Sequence, residues 1–312
     1  MKLAISGAAG FLGRETIDFF SAQGNVTIHA LASAEAAFPL AADHVTWFSG
    51  SMTDPTVLKS WLTGCDAVLH LAERGVPAQV VEHPERQITA NLTTLTRLIC
   101  GMREQGIKRI LYASSGGALY ESQPSQKSGE GSPIELRTPY AVGKFAAERM
   151  LLQLNETEGW TNSLLRIANP YGLHQLGKLK QGLIGMAMEK MYFGKGIPLW
   201  VSLKTGKDFL AASDVCRAFS LFLNKPSAGI FNIGSGTSTT LETLFQTLEK
   251  ITGRKPNIIS TPRPLHEAAS TALDCSKVKK ALGWETTVSL QQGLVQLWAV
   301  RCKKAAAIKQ AA

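Results

Sequence analysis

The sequence predicts an α/β protein, a doubly wound parallel sheet carrying a smaller C-terminal α/β lobe. Three observations predict it. Short apolar runs alternate with amphipathic stretches through the first two-thirds of the chain. A glycine-rich turn, Gly7-Ala8-Ala9-Gly10-Phe11-Leu12-Gly13, follows the first apolar run and opens a helical pattern. After Asn169 the regular alternation stops.

Residues 2–6, 26–31, 45–48, 67–71, 109–113, 163–166 and 230–233 read as strands, and residues 10–23, 55–62, 84–105 and 139–158 as helices. Strands separated by helices pair in parallel through right-handed crossovers. With the glycine turn after the first strand, the sheet is Rossmann-like. The dinucleotide-binding domain is expected over 1–170, with a return segment near 207–233; 171–312 is expected to form mainly a substrate-binding lobe. In that lobe, residues 177–196 are rich in Gly, Met and Lys and read as a mobile segment feeding a short helix. Residues 241–252 form an amphipathic pattern, with Ser238-Thr239-Thr240 and Glu242 offering N-capping side chains. A strand and turn are expected over 256–264, and a helix over 274–282 stopped by Gly283. No internal repeat is visible.

The chain has 312 residues and 45% hydrophobic content, enough for a substantial core. Its net charge of +9 is scattered, so no nucleic-acid partner is expected, though a diphosphate would welcome the potential. The densest run, Arg301-Cys302-Lys303-Lys304 with Lys309, reads as a frayed, solvated tail. Five widely spaced cysteines with no Cys-x-x-Cys pair predict no metal site and reduced thiols, as in the cytoplasm. No run approaches the ~20 apolar residues of a membrane span, and no signal-peptide core is formed, so no membrane partner is expected.

Gly7 permits a tight turn, Gly10 a close approach of backbone amides to a pyrophosphate, and Gly13 close helix packing, with Phe11 and Leu12 at the helix start between them. The end of the second strand reads Ala30-Leu31-Ala32-Ser33. It offers neither the acid that bonds ribose hydroxyls nor an arginine for a 2′-phosphate. Ser33 can bond such a phosphate, so the reading is NAD or NADP, leaning to NADP. Further on, Thr138-Pro139 starts a helix that puts Tyr140 and Lys144 on one face at i, i+4. A phenol ionises near pH ~10, and an adjacent ammonium brings it toward working pH. That is the equipment of proton transfer beside a hydride step.

These motifs resemble the extended short-chain dehydrogenase/reductases, the NAD(P)-dependent epimerase/dehydratase family acting on nucleotide sugars. Val68-Leu69-His70-Leu71-Ala72 resembles its fourth-strand motif, Asn91-Leu92-Thr93-Thr94-Leu95 its following helix, and Arg166-Ile167-Ala168-Asn169-Pro170-Tyr171-Gly172 its substrate-side turn. Phe231-Asn232-Ile233-Gly234-Ser235-Gly236 and Leu273-Asp274-Cys275-Ser276-Lys277 are similar to its C-terminal lobe. The resemblance implies that Tyr140 and Lys144 are catalytic and that Leu71, Ala72 and Asn91 line the cofactor. It places Asn169, Lys207 and Arg263 at a sugar-nucleotide diphosphate. It also implies a homodimer through the helices over 84–105 and 139–158.

The chain departs from the pattern in four places. Gly116 stands where the family has a catalytic Ser or Thr; Ser115, in preference to Ser114, is expected to replace the hydroxyl. Gly117-Ala118 replaces the Asp-Glu pair of dehydratases, which argues against water elimination. Ser51 replaces an adenine-binding aspartate, leaving Asp54 as a substitute, and Glu73 replaces a small residue near the nicotinamide pocket. The resulting expectation is a nucleotide-sugar epimerase acting at C4, with an NADPH-dependent 4-keto-sugar reductase as the alternative. A non-catalytic NAD(P)-binding regulator is the remaining reading.

Overall fold

The computed structural model describes residues 1–33, 44–73, 83–121, 126–177, 182–261 and 272–311, with side chains to 303. The first half runs β1 (Lys2–Ser6), α1 (Phe11–Gln23), β2 (Thr27–Ala32), β3 (Val45–Ser49), α2 (Pro55–Leu62), β4 (Ala67–His70), α3 (Pro84–Glu104), β5 (Ile110–Ser115), α4 (Gly116–Leu119), α5 (Pro139–Glu158) and β6 (Ser163–Ile167). The rest runs β7 (Asn169–Tyr171), α6 (Leu183–Tyr192), β8 (Ile197–Leu199), β9 (Gly206–Ala211), α7 (Ala212–Asn224), β10 (Gly229–Ile233), β11 (Ser238–Thr240), α8 (Leu241–Thr252), β12 (Ile258–Ser260), α9 (Ser276–Leu282) and α10 (Leu290–Ala311).

Among the described residues, seven strands form one sheet in the order β10-β6-β5-β4-β1-β2-β3, every neighbouring pair parallel. The order reverses between β1 and β4, which opens a crevice at the carboxyl ends of those strands. Strand alternation sorts the core. Leu3, Ile5, Ile28, Leu69, Leu111 and Leu165 point to the face covered by α1 and α7, where Phe20, Phe219 and Phe222 are buried. Ala4, Val68, Ile110, Tyr112 and Leu164 point to the opposite face, covered by Trp61, Leu98 and Leu151 of α2, α3 and α5.

Helix α5 is bounded as its sequence predicts. The Thr138 hydroxyl accepts from the Ala141 amide at 3.1 Å, and Gly159 closes the helix in the left-handed conformation. It binds the sheet through a buried ion pair. Glu148, fully buried, accepts from Arg166 Nε at 2.9 Å and Nη2 at 2.7 Å, and from Ser114 Oγ at 2.5 Å. Arg166 also stacks its guanidinium 4.9 Å from the Tyr120 ring centroid, and Tyr120 donates to Asn232 at 2.6 Å.

The C-terminal lobe has its own core, with Ile184 and Met188 of α6, Leu244 and Leu248 of α8, and Leu294 and Leu297 of α10. Within 177–196 the expected short helix is α6, which packs seven buried residues into the lobe because its Ile and Met side chains supply apolar surface on most sides; 178–181 lie outside the described residues. One expectation is corrected here. The basic run at 301–304 is not a solvated tail at its start. Arg301 is buried in α10, 2.7 Å from Glu189, with its guanidinium 3.9 Å from the Tyr192 ring centroid. The stretch Ser238–Thr240 is a strand as well as a cap, with β11 antiparallel to β9 and Thr240 accepting from the Thr243 amide. Of the return segment, β9 joins a three-stranded sheet, β11-β9-β7, while β10 adds to the large one.

Replacing Glu148 with Ala leaves Arg166 buried and uncompensated. The expected loss is about 3–5 kcal/mol of folding stability, seen as a lower urea midpoint; a loss under about 1 kcal/mol would contradict this role.

Candidate active site

The carboxyl ends of β1 and β4 meet at close range. Gly7 has φ +67°, and a Cβ on it would lie 2.7 Å from the Ala72 nitrogen. Only glycine fits that approach. A Cβ on Gly13 would lie 2.4 Å from the Gly7 carbonyl oxygen, so the glycine spacing seats the first turn of α1 directly on the loop. Gly10 caps α1 without a side-chain hydrogen bond. The amides of the first helical turn, those of Phe11, Leu12 and Gly13, have no acceptors within the helix and face the end of the sheet. This donor set, with the partial positive charge of the helix start, fits a diphosphate. Leu71 and Ala72 lie alongside, with their amides on Ser6 Oγ at 3.2 and 3.3 Å. Ser6 Oγ in turn shares a hydrogen bond with His70 Nδ1 at 2.7 Å. Burial pushes the His70 imidazole down to about 3, with Lys144 adding to the depression, so His70 is neutral in the fold. Ser33 lies exposed just past the end of β2. Asp54 is engaged otherwise: it caps α2, accepting from the Thr56 amide at 2.8 Å.

Around the crevice, α5 presents Tyr140, Lys144 and Glu148 at i, i+4 and i+8. Each reaches β5 or its vicinity. The half-buried Tyr140 shares a hydrogen bond with Ser115. Lys144, 4% exposed, donates to the Ala113 carbonyl at 2.7 Å, and its ammonium lies 4.6 Å from the Tyr112 ring centroid and 5.8 Å from that of Tyr140. Glu148 takes Ser114. The two candidate serines therefore divide. Ser114 is turned to the buried ion pair, while Ser115 is turned to the phenol.

Glu73, at the end of the fourth-strand motif, completes the cluster. Its Oε2 is 2.7 Å from Lys144 Nζ, and its Oε1 accepts from Asn91 Nδ2 of α3. Burial works against the Lys144 ammonium, but Tyr112, Glu73 and Tyr140 outweigh it and hold the group protonated. Burial raises the Tyr140 phenol above its ordinary range; Lys144 opposes the rise, Glu73 adds to it, and the Ser115 hydrogen bond opposes it.

The position of the absent hydroxyl is explained by packing. A Cβ on Gly116 would lie 2.5 Å from Leu273 Cδ1 and 3.1 Å from the Arg166 carbonyl oxygen. Leu273 is fixed there by Asp208, which accepts from the amides of Leu273, Ser235 and Gly236 and from the Ser235 hydroxyl. Next to it, Asn169 lies over Gly117 and donates to the Asp208 carbonyl at 3.0 Å. Lys207 is buried in β9; with Asn169 paired to Phe209, strand alternation puts Asn169 and Lys207 on one face of the small sheet. Arg263 lies outside the described residues. The buried partners Glu148, Arg166 and Asp208 were not singled out from sequence. The i+8 spacing of Glu148 from Tyr140 was the available signal.

Residues 3–234 match the model of the NAD dependent epimerase/dehydratase family, and the chain belongs to that family. It is similar to the UDP-glucose 4-epimerase of Mycolicibacterium smegmatis, 26% identical over 306 residues, covering 95% of this chain and 97% of that one. It is also similar to a dTDP-4-dehydro-6-deoxyglucose reductase of Escherichia coli, 28% identical, covering 96% and 97%. Among solved structures, the UDP-glucose 4-epimerase of Thermotoga maritima with UDP-glucose superimposes with a TM-score of 0.89 at 26% identity, covering 98% of this chain and 100% of that chain. Among the described residues, no helix is long and apolar enough to cross a membrane.

His70 supplies a pH test. The unfolded imidazole protonates near 6.5 and the folded one near 3, so the unfolded state binds more protons between these values. Stability is therefore expected to fall as pH drops through that interval. In His70→Asn the urea midpoints should fall less between pH ~7 and ~4 than in the wild type; parallel profiles would contradict a neutral buried His70.

Proposed function

We propose that this protein interconverts C4 epimers of a nucleoside-diphosphate hexose, with Tyr140 as proton-transferring group and Lys144 as its electrostatic partner. The carrying observation is the placement of both side chains, with Ser115, at the carboxyl end of β5 beside the crevice between β1 and β4. When bound, a nicotinamide dinucleotide supplies the acceptor and donor of hydride. Tyr140 takes the proton of the C4 hydroxyl as the carbon is oxidised and returns it when the carbon is reduced. The Lys144 ammonium stabilises the phenolate in between. Ser115, already on the phenol, bonds the sugar oxygen in place of the side chain that Gly116 lacks. The backbone of Gly7–Gly13 would hold the cofactor diphosphate, with Leu71, Ala72 and Asn91 lining the cofactor. Asn169, Lys207 and Arg263 hold the sugar nucleotide's diphosphate, so the ketone can turn its other face while tethered.

A second reading is favoured by one observation: the end of β2, Leu31-Ala32-Ser33, carries no carboxylate. A 2′-phosphate meets no repulsion there, which suits an exchanging NADPH and a 4-keto-sugar reductase. In either reading the chain acts as a homodimer through α3 and α5, which pack side by side; a surface hollow of ≈ 420 Å³ on α3, lined by Ile88 and Leu92, supplies apolar surface for it.

Mass spectrometry of small molecules released by denaturing the purified protein separates the readings. Stoichiometric NAD supports recycling in place and the epimerase. NADP, or an empty protein that consumes NADPH with a nucleotide-linked 4-keto sugar, supports the reductase. Tyr140→Phe is expected to lower kcat on UDP-hexoses by about 10²–10⁴-fold, while retaining bound cofactor. Unchanged turnover would overturn the assignment of Tyr140.

A further inference from the structure

Glu73 has no task in the chemistry just described, yet it is tightly engaged beside the two residues that carry it. Its side chain is 17% exposed and both carboxylate oxygens are used, one on Lys144 at 2.7 Å and one on Asn91. Asn91 sits on α3, Lys144 on α5 and Glu73 beyond β4, so three separate elements converge on one carboxylate. An ammonium has three donors. The Ala113 carbonyl and Glu73 occupy two of them. Tyr140 therefore faces a nearly neutral ion pair rather than a bare cation.

We propose that Glu73 is a positioning residue of this site: it clamps Lys144 toward α3 through Asn91 and withholds part of the ammonium's charge from Tyr140. This deepens the reading of Tyr140 as the proton-transferring group and rests on it for its functional meaning. Among the described residues, the other groups facing the pair cannot do the same work. From β4, His70 is neutral down to about 3. From β5, burial pushes the Tyr112 phenol far up and keeps it neutral, and Ser115 contributes only a hydroxyl. From α3, Asn91 is uncharged. Among the described residues, Glu73 is thus the anion that opposes Lys144 within the cluster, and its charge makes the Tyr140 phenol harder to ionise.

The test is a spectrophotometric titration of tyrosinate in the full-length protein, with and without added nicotinamide dinucleotide. The chain has five tyrosines, and subtraction of the Tyr140→Phe titration isolates the signal of Tyr140. Glu73→Gln keeps an acceptor for Asn91 and removes the charge. It is expected to lower the Tyr140 midpoint by about one pH unit, the size of a screened charge interaction at this range. Glu73→Ala should lower it as well, and Glu73→Asp, which restores the charge, should return it toward the wild-type value. The rising limb of the pH profile of kcat/KM should move to lower pH in step with the titration.

An unchanged Tyr140 midpoint in Glu73→Gln and Glu73→Ala would overturn the proposal. Failure of both variants to fold would also overturn it, by making Glu73 a structural residue. A shifted titration beside an unshifted pH profile would support Glu73 as the counterion and overturn Tyr140 as the proton-transferring group.

Discussion

Helix α5 is held to the end of the sheet by a row of polar contacts one helical turn apart. Tyr140 meets Ser115, Lys144 meets the Ala113 carbonyl, and Glu148 meets Ser114 and Arg166. The row lies on one face because residues at i, i+4 and i+8 nearly eclipse along a helix. Its far end is an ion pair removed from water, stable only because both carboxylate oxygens and the guanidinium fork are satisfied. Its near end is a phenol beside an ammonium. The structural anchor and the reacting pair thus belong to one stripe, and the register of Glu148 on Arg166 sets where Tyr140 stands.

The crevice that faces this stripe exists because β1 and β4 are neighbours while their chain continuations diverge. Gly7 allows the backbones to touch at Ala72, and Gly13 lets α1 start close above them. The C-terminal lobe closes the opposite side through Asp208, which gathers the amides of Ser235, Gly236 and Leu273. Leu273 then fills the volume over Gly116. The missing hydroxyl and the buried leucine are two aspects of the same packing solution, and Ser115 is the hydroxyl left beside the phenol.

Much of this was legible in the sequence, for local reasons. The starts of α5 and α8 follow from Thr138 and Thr240, whereas Asp54, read as a substitute at the adenine, proves to be the cap of α2. The large sheet followed from apolar runs spaced by helices. The three-residue strands β7, β8 and β11 did not, since so short a segment shows no periodicity, whereas β12 lies within the strand and turn expected over 256–264. Arg301 read as part of a solvated basic run because its partners, Glu189 and Tyr192, lie on a distant helix. The same limit hid the partners of Glu73. The sequence marks it only as a carboxylate where a small residue is expected, and nothing local points to Lys144 and Asn91 until the fold brings them to it.

The measurement that bears most directly on the central claim is the fate of deuterium placed at C4 of a UDP-hexose. If Tyr140 moves the proton while the hydrogen on carbon travels as hydride and returns within one site, the epimeric product retains the label and no labelled nucleotide is released. Loss of the label to solvent would show that carbon, rather than the hydroxyl, is deprotonated. That result would contradict the assignment of Tyr140 and Lys144 to a hydride-transfer centre.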